Sequence, residues 1–291
     1  MAQHIPKWLK TGLPDAGALG RVIPTVSSLD LNTICLEARC PNKQECFEAG
    51  SVTFLILGRH CTRSCRFCNV TGAAPLPVDP GEPERVLEAC RRLGLDHVVI
   101  TSVTRDDLPD GGAGQFRRTI ELLHADAGDV SVEVLVPDFD GNDTAVETVA
   151  AAGPDVFAHN LETVARLYSS ARERADYARS LGILSRVRSG YRGVIVKSGL
   201  ILGIGETLRE VKSTLEDLAR AGCEIVTVGQ YMRPSRAHMP VVEYLEPAVF
   251  EDLESYAREL GLVAVCGPRV RSSYKSKAAF REAKLRRRKC A

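Results

Sequence analysis

Short apolar runs alternate with amphipathic stretches along most of the chain. "VTFLILG" (52–58), "DHVVITSV" (96–103), "VSVEVLVPD" (130–138), "PDVFAHN" (154–160), "GVIVKSGLILG" (193–203) and "CEIVTVGQYM" (223–232) are mostly apolar and rich in β-branched residues. Such runs fit strands buried on both faces. The stretches between them carry a helical period. In "EPERVLEACRRLG", Val86, Cys90 and Leu93 share a face, with Pro83 near the start and Gly94 just past the end. "ETLREVKSTLEDLARAG" opens on Thr207-x-x-Glu210, a capping-box pattern, with Val211, Leu215 and Leu218 as its inward stripe. "EPAVFEDLESYARELG" aligns Val249, Leu253, Tyr256 and Leu260. Strands alternating with helices predict an α/β fold with a parallel sheet. Six units fall short of the eight of a closed barrel, so a partial barrel and an open doubly wound sheet both fit. In either, reactive residues belong at the carboxyl ends of the strands. The pattern divides the chain into a core, 52–261, an N-terminal extension, 1–51, and a C-terminal extension, 262–291.

The chain has 291 residues, 44% of them hydrophobic, enough for a sizeable core. Lys plus Arg is 38 against 37 for Asp plus Glu, a balance that gives no electrostatic footprint for nucleic acid. The start, "MAQHIPKWLK", carries no apolar signal region, and no window of 18 uninterrupted apolar residues exists. The expected setting is cytoplasmic and reducing. There, close-set cysteines bind metal more often than they form disulfides.

Six of the ten cysteines form two triads. Cys61, Cys65 and Cys68 follow the first strand with gaps of three and two residues. Three thiolates in one loop can hold three corners of a 4Fe–4S cluster and leave the fourth iron open to a small molecule. A structural zinc site completed by a distant ligand is the competing reading. Cys35, Cys40 and Cys46 have gaps of four and five, wider than common zinc spacings. Two triads with different spacings imply two centres with separate tasks.

The Cys61–Cys68 spacing resembles the signature of radical S-adenosylmethionine enzymes. "LNTICLEARCPNKQECF" and "TFLILGRHCTRSCRFCNV" together closely resemble the lipoyl synthase family. The likeness continues in order through "IPKWLK", "DPGEPERV", "TSVTRDDLPDGGAGQF", "HNLETV", "KSGLILGIGET", "VTVGQYMRPSRAHMPVVEYLEP" and "GPRVRSSY". It implies a partial (βα)6 TIM-type barrel whose two extensions carry the ligands of an auxiliary cluster. It further implies that Cys61, Cys65 and Cys68 hold the radical-generating 4Fe–4S cluster. Cys35, Cys40 and Cys46, with Ser273 as fourth ligand, would hold a second cluster that is consumed as the sulfur source. The reaction implied is a sulfurtransferase step: sulfur insertion at C6 and C8 of an octanoyl chain on a lysine of a lipoyl-carrier domain. The implied cofactors are two 4Fe–4S clusters and S-adenosylmethionine, and the implied electron donor is of flavodoxin or ferredoxin type. The chain departs from the family after this motif, with Lys275 and Ser276 where His-Ala is frequent. A methylthiotransferase-like two-cluster enzyme and a zinc-binding module without enzymatic activity are the alternatives.

Other positions are candidates for contact with S-adenosylmethionine. Phe67 precedes Cys68. Gly111 and Gly112 follow the second strand, and Asn160 and Gly203 end the fourth and fifth. Each has an ordinary use as well, in turns or strand-end caps. Cys90, Cys223 and Cys266 read as small core residues, and Cys290 as a free thiol. The end of the chain carries Arg281, Lys284, Arg286, Arg287, Arg288 and Lys289, which fits a solvated helix end or a dock for an acidic partner.

Overall fold

A computed structural model describes residues 4–10 and 16–290, without the side chains of 16–19 and 290; Cys290 therefore lies outside the described side chains. Seven parallel strands form the centre: β2 (Thr53–Ile56), β5 (His97–Ser102), β6 (Ser131–Leu135), β7 (Val156–Ala158), β8 (Ile195–Leu202), β9 (Ile225–Gln230) and β10 (Val263–Gly267). A short β1 (Asn32–Thr33) runs antiparallel to β2 at one edge, and β10 closes the order at the other. The two edges do not pair, so the sheet is curved but open. A separate two-residue pair joins β3 (His60–Cys61) to β4 (Thr71–Gly72).

Helices cover the outer face, and their ends follow the sequence signals. Gly94 caps helix Glu82–Leu93 at φ 63°, in the left-handed region where glycine carries no steric cost. Thr207 and Glu210 make the reciprocal hydrogen bonds of a capping box at helix Leu208–Arg220. Val211, Leu215 and Leu218 of that helix are fully buried against the sheet.

The sheet crosses both boundaries expected from the pattern. β1 lies in the leading segment, and β10 lies beyond residue 261 and adds a seventh parallel strand to the six expected. Its five residues, "VAVCG", lie beyond the six repeats that the pattern marks. Only the register with β9, Val263 opposite Ile225, reveals the strand. Helix Ser276–Cys290 then turns under the barrel. Ala279, Phe280 and Ala283 pack with Val156, Ile195, Ile225 and Val263 to close the amino-terminal end. The basic residues of this helix are partly committed: Arg287 pairs with Glu224 and donates to the carbonyls of Arg192, Gly193 and Val194. Among the described residues, no helix is long and apolar enough to cross a membrane.

Candidate active site

The Cys61–Cys68 loop is fixed on several sides. β2 is wholly buried and ends at Leu57 and Gly58, both with positive φ, which turns the chain out over the carboxyl ends of the strands. Cys61 Sγ accepts from the backbone N–H groups of Arg63 and Thr104 at 3.4 and 3.3 Å. Arg63 is buried and clamps the loop to the β5 and β6 ends. It donates twice to Asp106 at 2.8 Å and pairs with Asp138 at 2.7 Å. From the far side, His238 Nε2 meets the Cys68 carbonyl at 2.9 Å and Met239 N–H donates to the Arg66 carbonyl at 3.0 Å.

The other triad is set by two short helices. Thr33 accepts from Leu36 N–H and starts helix Ile34–Glu37 just after β1. Backbone bonds Cys40 to Cys35 and Cys46 to Asn42 compact the loop between. The Arg-Ser-Ser-Tyr segment reaches this loop from the opposite end of the chain. Asn42 Nδ2 donates to the Arg269 carbonyl at 2.6 Å, and the Tyr274 hydroxyl donates to Glu45 at 2.7 Å. The segment crosses the barrel mouth over Gly229, where a β-carbon would stand 1.9 Å from the Val270 carbonyl. The glycine is required here by close approach, not by backbone conformation.

Both triads, Phe67, Asn160 and Ser273 line one cavity of about 570 Å³ at the carboxyl ends of the strands. Its remaining wall is mixed: Val103, Leu135, Pro137, Leu200 and Val270 are apolar, and Arg63, Glu162, Arg172, Gln230 and Arg271 are polar or charged. Burial pushes the Cys35 thiol up to about 11 and those of Cys46 and Cys68 up to about 12. Cys65 is also raised by burial, against the pull of the Arg172 guanidinium. Buried, uncompensated thiolates are costly, and iron supplies the compensating charge. Among the described residues, no three His, Cys, Asp or Glu side chains come together closely enough to hold a single metal ion. All six triad thiols open on the same cavity, and thiolates are the usual ligands of iron–sulfur clusters. The donor set fits two iron–sulfur clusters.

Gly111, Gly112 and Gly203 stand elsewhere. None lines the cavity. A β-carbon at Gly112 would fall 2.2 Å from Leu57 Cδ1, and one at Gly111 would fall 2.8 Å from Phe139. At Gly203 it would meet Gln230 and the Glu243 carbonyl within 2.3 Å. Each is a point of close protein-to-protein approach. Two cavity residues had no distinguishing mark in the sequence. Arg172, 9% exposed, donates through Nη1 to the Asn160 carbonyl at 2.8 Å, and its buried Nε has no protein partner. Glu162 sits beside it at φ 67°, half-buried, its carboxyl raised by desolvation. "LYSSARERADYA" reads locally as a solvated segment. The "HNLETV" stretch around Glu162 is the one signal that pointed near this wall.

The radical SAM superfamily model matches residues 55–218. Among solved structures, HydG, a maturase of the [FeFe]-hydrogenase, aligns at TM-score 0.60 and 14% identity, covering 91% of this chain and 65% of that one. The fold and the cysteine loop at its mouth thus define a radical S-adenosylmethionine protein. Lipoyl synthase of Nitratidesulfovibrio vulgaris (strain DP4) is 50% identical over 278 residues, 95% of this chain and 93% of its own. Lipoyl synthase of Methylococcus capsulatus (strain Bath) is 51% identical over 271 residues, 92% of this chain and 84% of its own. The chain belongs to the lipoyl synthase family.

Proposed function

We propose that this chain inserts sulfur at C6 and C8 of an octanoyl chain held in amide linkage on a lysine of a carrier-protein domain, giving lipoyl-lysine. The observation that carries this reading is that two cysteine triads and Ser273 line one cavity. When bound, the clusters and S-adenosylmethionine supply hydrogen-atom abstraction and sulfur, chemistry that no side chain offers at an unactivated C–H bond. The protein's part is to hold and orient. Cys61, Cys65 and Cys68 hold the radical-forming cluster in a loop clamped by Arg63 and His238. Cys35, Cys40, Cys46 and Ser273 hold the sacrificial one. The apolar lining residues Val103, Leu135, Leu200 and Val270 would contact an octanoyl chain. The Arg172 and Glu162 pair offers opposite charges to a zwitterionic cofactor beside Cys65. The 1–51 and 262–291 segments serve as suppliers of auxiliary-cluster ligands around a 52–261 core. A flavodoxin- or ferredoxin-type donor and a cytoplasmic setting complete the proposal.

The test separates the triads. Cys61→Ala, Cys65→Ala or Cys68→Ala abolishes cleavage of S-adenosylmethionine, whereas Cys35→Ala, Cys40→Ala or Cys46→Ala leaves cleavage and removes the sulfur product. Equal loss of cleavage in both sets, with the untouched cluster intact by spectroscopy, would refute the division of labour.

A further inference from the structure

Asn160 ends β7 in the cavity wall, and its side-chain amide is engaged at both ends. Oδ1 accepts from Ser272 Oγ at 3.1 Å, and Nδ2 donates to Glu162 Oε1 at 3.0 Å. Its backbone carbonyl accepts from Arg172 Nη1 at 2.8 Å. Ser272 belongs to the C-terminal segment, next to Ser273. Glu162 and Arg172 belong to the wall beside Cys65. One amide therefore joins two regions that are 112 residues apart in the chain. A carboxylate only accepts, so with Glu162 ionised the amide nitrogen faces it and the oxygen is left for the serine hydroxyl. β8 makes room for this arrangement. A β-carbon at Gly199 would stand 2.9 Å from Asn160 Oδ1 and 2.7 Å from Thr227 Oγ1. Both neighbouring serines line the cavity, and Ser272 is the one that reaches across to Asn160.

We propose that Ser272 is a positioning residue which, through Asn160, couples the seating of the C-terminal segment to the Glu162 and Arg172 wall that receives S-adenosylmethionine. The inference rests on the functional reading above. If seating the segment fixes Asn160, it fixes the Asn160 carbonyl that holds Arg172, and cofactor binding is tightened. Coupling between sites is reciprocal, so bound cofactor must also hold the segment down by the same factor. An enzyme that uses its auxiliary cluster as reagent gains from this arrangement. S-adenosylmethionine is then held best when the sulfur source is in place.

The test uses the two-cluster holoenzyme without reductant, so that S-adenosylmethionine binds and is not cleaved. Equilibrium dialysis compares wild type, Ser272→Ala and Ser272→Thr. Loss of one hydrogen bond is expected to raise Kd about fivefold in the alanine variant. The threonine variant keeps the hydroxyl and returns close to wild type. Hydrogen exchange gives the reciprocal reading: S-adenosylmethionine slows exchange of the 270–275 amides in wild type by about the same factor, and does not in Ser272→Ala. Wild-type affinity in Ser272→Ala overturns the coupling, and so does a threonine variant as weak as alanine. A wild-type holoenzyme that does not bind S-adenosylmethionine overturns the functional reading, and this inference with it.

Discussion

In the proposed reading Ser273, which lines the cavity, would add a hard oxygen donor to three soft thiols. An iron held by oxygen is released more readily than one held by a fourth thiolate. Ser273→Ala should therefore retain cleavage of S-adenosylmethionine and lose sulfur insertion by on the order of 100-fold, at least the effect of disturbing a ligand's support. Ser273→Cys should keep the cluster and insert poorly. Separate counts of 5′-deoxyadenosine and thiolated peptide check both. Two buried histidines carry a pH prediction. Burial, reinforced by Lys197, holds His97 down to about 3, and burial with Arg172 holds His159 down to about 4. Both are neutral in the folded chain, and near pH 6.5 the unfolded chain takes up their protons. Stability is thus complete above about pH 6.5 and falls as pH drops towards the folded values. At pH 5 the loss is about 2 kcal/mol per histidine. Asp96, Glu133, Lys277 and Arg281 also surround His97, and Glu133, raised by burial, works in the opposite direction. Urea midpoints at pH 7 and pH 5 should differ in wild type and differ less in His97→Asn.

At the scale of elements, the crossing of the 268–274 segment over β9 is the contact on which the auxiliary site depends. Gly229→Ala would drive a methyl into the Val270 carbonyl, a backbone atom that cannot swing aside. The expected result is loss of about half the iron per chain, with the Cys61 loop and cofactor cleavage retained. Iron and sulfide analysis of the purified variant decides it, and full iron content would show that the segment seats without this glycine. The sequence pattern located the elements well where the signal is local. The run 193–203 contains Ile195–Leu202, the run 223–232 contains Ile225–Gln230, and Thr207 with Glu210 forms the capping box. The cysteine spacings marked both triads, which share one cavity, whereas Ser273 was singled out only by the family resemblance. What stayed hidden depends on contacts between distant residues. The close approach of Gln230 and Glu243 to Gly203 is one such contact. Arg172 looked solvated and is buried by the folding of 160–172 onto itself. β10 lay beyond the six repeats that the pattern marks.

At the scale of the whole molecule, the barrel is stoppered at its amino-terminal end by the C-terminal helix, while the residues just before that helix complete the mouth at the other end. Arg287 fastens the helix through Glu224 and three carbonyls. Arg287→Ala should lower unfolding stability by about 2 kcal/mol, the scale of lost charge-assisted hydrogen bonds at a half-buried site. Arg288→Ala, on the exposed side, should change it by less than about 0.5 kcal/mol. Chemical denaturation of the two variants side by side makes the comparison. The central claim is that one cavity brings a radical-forming cluster and a sulfur-supplying cluster to the same octanoyl chain. Single turnover on an octanoyl-lysine peptide, with the clusters built from heavy-isotope sulfide and the free sulfide then removed, tests it most directly. The account predicts lipoyl-lysine peptide carrying the heavy sulfur at both positions, with one auxiliary cluster lost per product. Abundant cleavage of S-adenosylmethionine with no thiolated peptide, or product carrying unlabelled sulfur, would contradict it.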